Sequence, residues 1–230
     1  MAKKEKVRDM FNDIAPRYDL LNHLLSLGID KRWRTLAARC LAKGAGVLDV
    51  ACGTGDFAIT AARRGAARVT GVDISEKMLD VARAKARAKH LDHRVSFLQG
   101  DAEELHFPDG SFDAVTVAFG ARNFERLDKA LDEIARVTRP GGRLVILEFS
   151  VPERFPVKQL YRFYFTRLLP RVGGIISGRG DAYAYLPASV YPFPRGEKFL
   201  DILRAAGFHG ATARPLSFGI ATLYTAEKPA

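Results

Sequence analysis

The feature that most constrains this chain is a glycine-bearing turn at 49–56, with the sequence DVACGTGD. It follows the short apolar run Val47–Ala51 and precedes a helix predicted over Asp56–Arg64. Gly53 and Gly55 can adopt a positive φ and have no Cβ to obstruct a ligand. Backbone N–H groups at such a turn point at whatever lies over the strand end. The turn therefore predicts a ligand site at the edge of a sheet.

The rest of the chain alternates between strand-type and helix-type patterns, which predicts an α/β fold. Short apolar runs are interleaved with segments whose apolar residues recur at helical spacing. Such alternation is typical of a parallel sheet with helices on both faces, joined by right-handed crossovers. Two strands after the last helix predict an antiparallel hairpin. The predicted strands are 47–51, 68–72, 95–98, 112–118, 143–148, 212–215 and 219–225, and the predicted core helices are 56–64, 76–89, 126–137 and 196–206.

Composition limits the classes of protein to which the chain can belong. With 36 Lys and Arg against 26 Asp and Glu, the formal net charge of +10 fits a basic solvated surface, attraction to nucleic acid or attraction to an anionic membrane. The basic run Lys31–Arg39 is interpreted as a solvated helix face. The absence of an apolar run of about 18 residues argues against a membrane-spanning helix, and the polar start favours a cytoplasmic location. Cys40 and Cys52 form neither a disulfide framework nor a metal set.

Acidic residues at the predicted strand ends distinguish between two nucleotide ligands. Residues 53–58 (GTGDFA), with an acid at Asp73, formally fit the dinucleotide fingerprint. However, Asp49 and Asp56 on either side of the turn would repel a pyrophosphate, whereas Asp49 suits an amino-acid ammonium group. Asp101, at the end of the third strand, suits an adenine amino group. S-adenosylmethionine satisfies these positions, and a turn without a ligand is the alternative.

Two of these acids are candidates for the nucleoside part of that cofactor. Asp73 ends the second predicted strand, where its carboxylate can accept hydrogen bonds from both ribose hydroxyls. Asp101 and Ala102 can hold the adenine through a side-chain oxygen and a backbone N–H. The alternatives are an Asp73 that caps the next helix, a place that Ser75 can also take, and an Asp101 that begins a turn.

The length suits one α/β domain that spans the whole chain with two additions. Residues 1–45 are helical in pattern, with a first stretch that Pro16 ends, and are interpreted as a lid. The cofactor-binding core is expected over 46–150. Residues 151–195, rich in aromatic residues and proline, predict an insertion on the substrate side, and 196–230 supply the C-terminal helix and strands.

Eight segments together match a known pattern: 7–22 (VRDMFNDIAPRYDLLN), 25–34 (LSLGIDKRWR), 47–56 (VLDVACGTGD), 100–108 (GDAEELHFP), 119–123 (FGARN), 136–142 (RVTRPGG), 147–152 (LEFSVP) and 183–189 (YAYLPAS). On these segments the chain resembles the quinone-biosynthesis C-methyltransferases, which methylate demethylmenaquinol and, in some organisms, the ubiquinone precursor. The resemblance covers nearly the whole chain. It implies the class I methyltransferase fold, a Rossmann-like doubly wound sheet of seven strands with an antiparallel last strand.

The resemblance also implies which residues bind S-adenosylmethionine. Thr54 and Asp73 match the threonine and the ribose acid of such enzymes, and Asp101 with Ala102 match the pair after the third strand. The position before FGARN, often serine in the family, is Ala118 here. Because alanine lacks a side-chain donor, any contact at Ala118 must come from its backbone.

Residues after the fourth predicted strand are candidates for catalysis. A quinol ring carbon attacks the sulfonium methyl once a hydroxyl is deprotonated, so the enzyme must stabilise a phenolate. Arg122 and Asn123 can hold a quinol oxygen, and Arg122 would lower the pKa of the quinol hydroxyl. Tyr18 on the lid is a further candidate. The alternative for Arg122 is a salt bridge to a nearby acid such as Glu125.

Three more polar residues each admit two interpretations. Glu148 can act as a base or tie down a loop. Tyr183 and Tyr185 can line the ring pocket or belong to the core, since aromatic residues are more often core than substrate wall.

The implied substrate also predicts partners. Its prenyl tail is lipid-soluble, so a cytoplasmic enzyme is expected to touch the membrane surface transiently, through the N-terminal helices or the 151–195 insertion. A homodimer is compatible with the sequence, whereas no nucleic-acid partner and no metal ion are expected.

Three other functions fit part of the sequence. A nucleic-acid methyltransferase fits the charge, but residues 119–123 lack the prolines typical of base amino-group methylation, and neither cysteine is placed for carbon-5 chemistry. A nicotinamide dehydrogenase fits the formal fingerprint, and a non-catalytic cofactor-binding module fits the turn alone. Another small aromatic substrate also stays open.

Overall fold

A seven-stranded sheet organises the computed structural model, which describes residues 3–26, 28–164, 167 and 181–230. Helices pack on both faces of the sheet. The strands are β1 (Gly46–Val50), β2 (Arg68–Asp73), β3 (Val95–Gln99), β4 (Phe112–Ala118), β5 (Thr138–Phe149), β6 (His209–Leu216) and β7 (Ala221–Glu227), and the helices are α1 (Lys3–Leu25), α2 (Ile29–Ala38), α3 (Asp56–Arg63), α4 (Glu76–Ala88), α5 (Leu127–Val137), α6 (Val157–Phe163), α7 (Asp181–Val190) and α8 (Glu197–Ala205).

The strand order β3-β2-β1-β4-β5-β7-β6 places a topological switch point between β1 and β4. Strands β1 to β5 run parallel, with Asp49 of β1 opposite Gly71 of β2 and Thr116 of β4. Strand β7 is antiparallel to both β5 and β6, which confirms the predicted hairpin and the antiparallel last strand. In doubly wound sheets, ligands bind at the carboxyl edge where the strand order reverses.

Apolar side chains alternate between the two faces of the sheet and build a core on each. Val47 packs with Trp33 and Phe57 on one face, whereas its neighbour Leu48 packs with Leu131 on the other. This alternation is the period-two pattern of a strand buried on both sides. The two layers hold the carboxyl ends of the parallel strands rigidly in place.

Two boundaries differ most from the sequence-based predictions. Pro16 does not end the first helix, because α1 continues through it as one helix to Leu25. Tertiary contacts of α1 along the sheet edge outweigh the hydrogen bond that proline cannot donate. Strand β5 begins at Thr138 rather than at 143, since Thr138 already pairs with Phe112 across an irregular register. Within the 151–195 insertion, residues 165, 166 and 168–180 lie outside the described residues.

Candidate functional site

A cavity lies between α1 and the carboxyl ends of β1 to β4. The space between its walls, with the mouth that opens to solvent included, is about 920 Å³. Most predicted site residues line it, whereas Gly55 and Arg122 do not. The predicted residues on its wall are Tyr18, Asp49, Gly53, Thr54, Asp73, Asp101, Ala102, Ala118 and Asn123.

The turn after β1 is held open by its glycines and by one carboxylate. The Gly53 N–H donates to Asp73 Oδ2 at 2.8 Å, and the Gly55 N–H donates to the Cys52 carbonyl at 2.9 Å. Gly55 has φ 76°, and a Cβ there would lie 2.6 Å from Cζ of Phe97. Gly55 therefore serves packing beneath the turn, while Gly53 faces the cavity.

Alanine in place of Gly55 is expected to destabilise the protein by about 2–4 kcal/mol, because a left-handed backbone and a packing clash add together. Gly44 is a matched control, since it has φ 79° and nothing within 4 Å of an added Cβ. We expect Gly44→Ala to cost only the backbone part, about 1–2 kcal/mol. Urea unfolding of both variants measures the difference. Equal losses would contradict the proposed clash with Phe97.

Asp73 organises the turn and faces the cavity at the same time. Its Oδ2 accepts from Gly53, and its Oδ1 accepts from the Ser75 N–H at 2.9 Å. Burial raises the pKa of Asp73, and these backbone hydrogen bonds oppose that rise. Ser75, and not Asp73, caps α4 by accepting from the Met78 N–H at 3.3 Å. Each carboxylate oxygen can still accept a second hydrogen bond from a ligand.

Asp49 is a fully buried carboxylate at the floor of the cavity. Its Oδ1 accepts from the Thr116 hydroxyl at 2.8 Å, while its Oδ2 has no hydrogen-bond partner among the described residues. Burial raises the pKa of Asp49 to about 7. The Thr116 hydroxyl, the backbone N–H of Ala58 and the Arg34 charge act to lower it, and the Asp73 charge acts to raise it. A buried, half-satisfied carboxylate is costly unless a cationic ligand completes it.

Asparagine in place of Asp49 is expected to change how stability depends on pH. The unfolded chain releases this proton at about pH 4, whereas the ligand-free folded protein keeps it to about 7. The stability from this group is therefore fully present below about pH 4 and is lost as the pH rises to about 7. Measured by calorimetry, Tm of Asp49→Asn relative to the native chain should rise between about pH 4 and pH 8. A constant difference in Tm would contradict the raised pKa.

Asp101 and Ala102 lie at the end of the cavity below the start of α1. Asp101 Oδ2 accepts from Lys4 Nζ at 2.7 Å, and Oδ1 accepts from the Glu103 N–H at 3.0 Å. Although burial acts to raise the pKa of Asp101, the hydrogen bonds from Lys4 and Glu103 outweigh it and lower the pKa. The carboxylate therefore stays ionised beside Ala102, which is buried.

A polar cluster that sequence reasoning missed fastens α1 to the turn. The Thr54 hydroxyl donates to Asp19 Oδ1 at 2.5 Å, and Lys85 Nζ donates to Asp19 Oδ2 at 2.5 Å. Lys85 also forms a short ion pair with Asp56. The contact between Asp19 and Thr54 spans 35 residues, so nothing in either local pattern indicates it. Together with the Lys4–Asp101 pair, it keeps α1 over the cavity.

Arg122 lies beside the cavity in a buried ion pair. Its Nη1 donates to Glu148 Oε1 at 2.7 Å, and its Nε donates to the Ser189 hydroxyl at 3.3 Å. The alternative interpretation, a salt bridge to a nearby acid, is thus confirmed, but the acid is Glu148 and not Glu125, which accepts from the Lys3 N–H. Glu148 ties this strand end together by also accepting from the N–H groups of Arg122 and Phe149.

Asn123 reaches the cavity itself and has an aromatic partner. The Tyr185 hydroxyl donates to Asn123 Oδ1 at 3.0 Å. Burial raises the pKa of Tyr185, while the charge of Arg122 lowers it. Tyr18 of α1 lines the same cavity and packs edge-on against Phe11, with ring centroids 5.9 Å apart. The side chain of Tyr183 lies outside the described residues.

Arg34 contradicts the solvated-face interpretation of the basic run in α2. It is 8% exposed, lines the cavity and forms a short ion pair with Asp30, which is also buried. The sequence carried one signal of this: Asp30 and Arg34 stand four residues apart, beside Trp33 of the apolar side. Within the part of the chain that the structure describes, no cluster of His, Cys, Asp or Glu is placed to hold a metal ion.

Comparisons with known proteins place the chain among methyltransferases. The model of the ubiE/COQ5 methyltransferase family matches residues 1–228. A demethylmenaquinone methyltransferase of Bacteroides fragilis is 47% identical over 229 residues, which cover 98% of this chain and 94% of the relative. One of Thermus thermophilus is 49% identical over 223 residues, 96% of this chain and 100% of the relative. The ubiquinone/menaquinone biosynthesis C-methyltransferase UbiE of Geobacter sulfurreducens is 48% identical over 230 residues, which cover 98% of this chain and 90% of the relative.

Solved structures with lower identity share the fold. The [4+2]-cyclase SpnF superposes with a TM-score of 0.74 at 22% identity, covering 99% of this chain and 96% of that one. An S-adenosylmethionine-dependent methyltransferase of Thermotoga maritima superposes with a TM-score of 0.67 at 19% identity, covering 96% and 99%. The predicted class I fold is confirmed.

Proposed function

Because this chain belongs to the ubiE/COQ5 methyltransferase family, we propose that it methylates a ring carbon of a prenylated demethylmenaquinol. Its methyl donor is S-adenosylmethionine. The substrate follows from the names of relatives that are 47–49% identical over nearly the whole chain. The relative in Geobacter sulfurreducens carries a name that covers both quinones, so a ubiquinone precursor is a second candidate substrate.

The residues on the cavity wall fit the cofactor that the family requires. The unpartnered Oδ2 of Asp49 suits an ammonium group, and Asp73 has acceptor capacity left for ribose hydroxyls. Asp101 and Ala102 suit the adenine, while the backbone of Gly53, Thr54 and Ala118 would form the adjoining wall. We assign Gly55 the shaping of the turn. The single observation that carries this assignment is the row of carboxylates at the switch point of the sheet.

When bound, the cofactor supplies an electrophilic methyl group. The chain must then hold a quinol oxygen, favour its deprotonation and exclude water. Asn123 and Tyr18 face the cavity and can contact the quinol oxygen. Burial raises the pKa of the Tyr185 phenol beside Asn123, the charge of Glu148 also raises it, and the cation of Arg122 acts to lower it. Arg122 would act in this lowering direction on a quinol hydroxyl there.

The lid and the insertion lie against different parts of the site. Residues 1–45, through α1, cover the cofactor cavity, and residues 46–150 form its floor. The described part of the 151–195 insertion reaches the catalytic side through Tyr185 and Ser189. These contacts support a position of the quinol ring between the strand ends and the insertion.

A methyl-transfer assay tests the proposed function. Reduced demethylmenaquinone and a demethylated ubiquinone-precursor analogue are incubated separately with S-adenosylmethionine, and product is detected by mass spectrometry. We expect methylated menaquinol. Cofactor binding without methylation of either quinol would instead favour the non-catalytic binding module, and methylation of tRNA would favour a nucleic-acid enzyme.

We also propose that the protein is cytoplasmic and touches the inner face of the cell membrane through α6. Phe155, Leu160 and Phe163 are 80%, 65% and 57% exposed, and the basic Lys158 and Arg162 stand among them. Apolar side chains flanked by cations suit an anionic bilayer surface. Among the helices that the structure describes, none is sufficiently long and apolar to cross a bilayer.

Liposome flotation tests this contact. Phe163→Gln is expected to reduce binding to anionic vesicles several-fold, whereas the control Leu98→Gln, an exposed residue on β3, should leave it unchanged. No preference of the native protein for anionic over neutral vesicles would refute the contact. A homodimer stays a prediction, which light scattering of the purified protein tests.

A further inference from the structure

We infer that Arg34 binds the α-carboxylate of the methionine part of the cofactor. With Asp49, it forms a receptor for the zwitterionic amino-acid end of S-adenosylmethionine. The inference deepens the proposed function, on which the identity of the ligand rests. Four observations on the cavity wall support it.

The first observation is that Arg34 is buried with donors to spare. Its guanidinium forms an ion pair with Asp30 through Nη1, and no other side-chain hydrogen bond joins it to the described residues. A guanidinium carries five N–H donors in a planar fork, which matches a carboxylate. The pair with Asp30 therefore orients Arg34 and leaves donors for a ligand in the cavity that it lines.

The second observation is that aromatic packing fixes the position of the guanidinium. Its Cζ lies 5.2 Å from the centroid of the Phe119 ring, within cation–π distance. Phe119 follows β4 with φ 62° and packs against Phe149, with centroids 4.4 Å apart, and against Trp33 at 6.2 Å. Arg34 is thus held at the end of β4 before any ligand arrives, which reduces the entropy cost of binding.

The third observation is the order of charges along the sheet edge. Asp101, Asp73 and Asp49 stand at the ends of β3, β2 and β1, which are successive strands of the sheet. The next strand, β4, leads to Phe119 with Arg34 above it. Adenine, ribose and α-amino acid follow one another in the same order along the cofactor. The amino-acid end then meets an anion and a cation in adjacent places.

The fourth observation is that no other cation is available at this end. Of the described residues that line the cavity, only Lys4 and Arg34 are basic, and Lys4 pairs with Asp101 at the adenine end. Asp49 is close enough to Arg34 for the two charges to interact. Without a cation, the carboxylate of Asp49 would repel the carboxylate of the ligand. The positive charge of Arg34 offsets this repulsion and allows the zwitterion to bind there.

Two ligands that differ only at the amino-acid end test this assignment. S-adenosylhomocysteine carries the α-amino acid, whereas 5′-methylthioadenosine has the same nucleoside and sulfur without it. By calorimetry, Arg34→Met should weaken binding of S-adenosylhomocysteine about 10- to 100-fold, the range for hydrogen bonds to charged groups. Binding of 5′-methylthioadenosine should change less than about threefold. Arg34→Lys should recover part of the loss, since lysine restores the charge without the fork.

Arg32→Met is the matched control, because Arg32 lies on the same helix but is exposed and does not line the cavity. It should bind both ligands as the native chain does. Should Arg34→Met fail to fold because the buried carboxylate of Asp30 has lost its cation, Asp30→Asn with Arg34→Met removes both charges and is measured in the same way. Equal losses for both ligands, or no loss for either, would overturn the inference.

Failure of the proposed function would look different. If the selective loss appears but no quinol is methylated, the carboxylate receptor stands and the proposed substrate falls. If quinol is methylated and the selective loss does not appear, the substrate stands and the receptor falls.

Discussion

Asparagine in place of Asp73 is expected to weaken binding of S-adenosylhomocysteine by at least about 100-fold. A carboxylate that holds two ribose hydroxyls makes two charge-assisted hydrogen bonds, each of about 1.5–3 kcal/mol, and about 1.4 kcal/mol corresponds to tenfold in affinity. The amide retains one acceptor but turns a donor toward either the ribose or Gly53. Because the Gly53 N–H donates to Asp73 Oδ2 in the native chain, the substitution is also expected to disturb the turn.

Calorimetry with two ligands again measures the effect of Asp73→Asn. Both S-adenosylhomocysteine and 5′-methylthioadenosine should lose affinity, since both carry the ribose, in contrast to the selective loss expected at Arg34. The control is Asp80→Asn on α4, which removes an exposed carboxylate paired with Arg83 and should change affinity less than about twofold. Native-like affinity in Asp73→Asn would contradict the ribose assignment.

The row of acids could be predicted because it depends on local pattern and on one topological rule. Asp49 lies in the short apolar run of the first strand, Asp73 ends the second strand, and Asp101 follows the third strand by two residues. In a parallel sheet all carboxyl ends meet at one edge, so residues far apart in sequence converge. The structure places all three on one cavity wall.

The covering of that wall could not be predicted, because its contacts join distant segments. Lys4 meets Asp101 across 97 residues, and Asp19 meets Thr54 across 35. A helical pattern shows which face of α1 is apolar but not where the helix docks. The same limit hid the continuation of α1 through Pro16, since tertiary packing and not local propensity decides it.

The burial of charged residues could not be predicted from the amphipathic pattern for a related reason. Arg34 stands in a run of basic residues, and the amphipathic pattern of α2 does not distinguish this buried arginine from its exposed basic neighbours. Arg122 has an acid three residues away, Glu125, which is the partner that local spacing favours. Its actual partner, Glu148, lies on the neighbouring strand β5, and only the strand order brings the two together.

That pair carries the second large expected effect. Methionine in place of Arg122 leaves Glu148, which is 1% exposed, buried without its cation. Losing one member of a buried ion pair costs about 3–5 kcal/mol, which lowers Tm by about 10 °C in a chain of this size. Scanning calorimetry of Arg122→Met measures this loss. An unchanged Tm would show that Glu148 finds another partner.

A second variant separates the catalytic role of Arg122 from its structural one. In Arg122→Met with Glu148→Gln, the glutamine carries no buried charge and keeps one of the two oxygens that accept from the backbone N–H groups at positions 122 and 149. Most of the lost stability should return, and affinity for S-adenosylhomocysteine should stay native, because neither side chain lines the cavity. Quinol methylation should nevertheless stay at least about 100-fold below native, since about 3 kcal/mol of phenolate stabilisation is absent. If turnover returned along with stability, Arg122 would act only by holding β4 and β5 together, and the deprotonation of the quinol would need another cation.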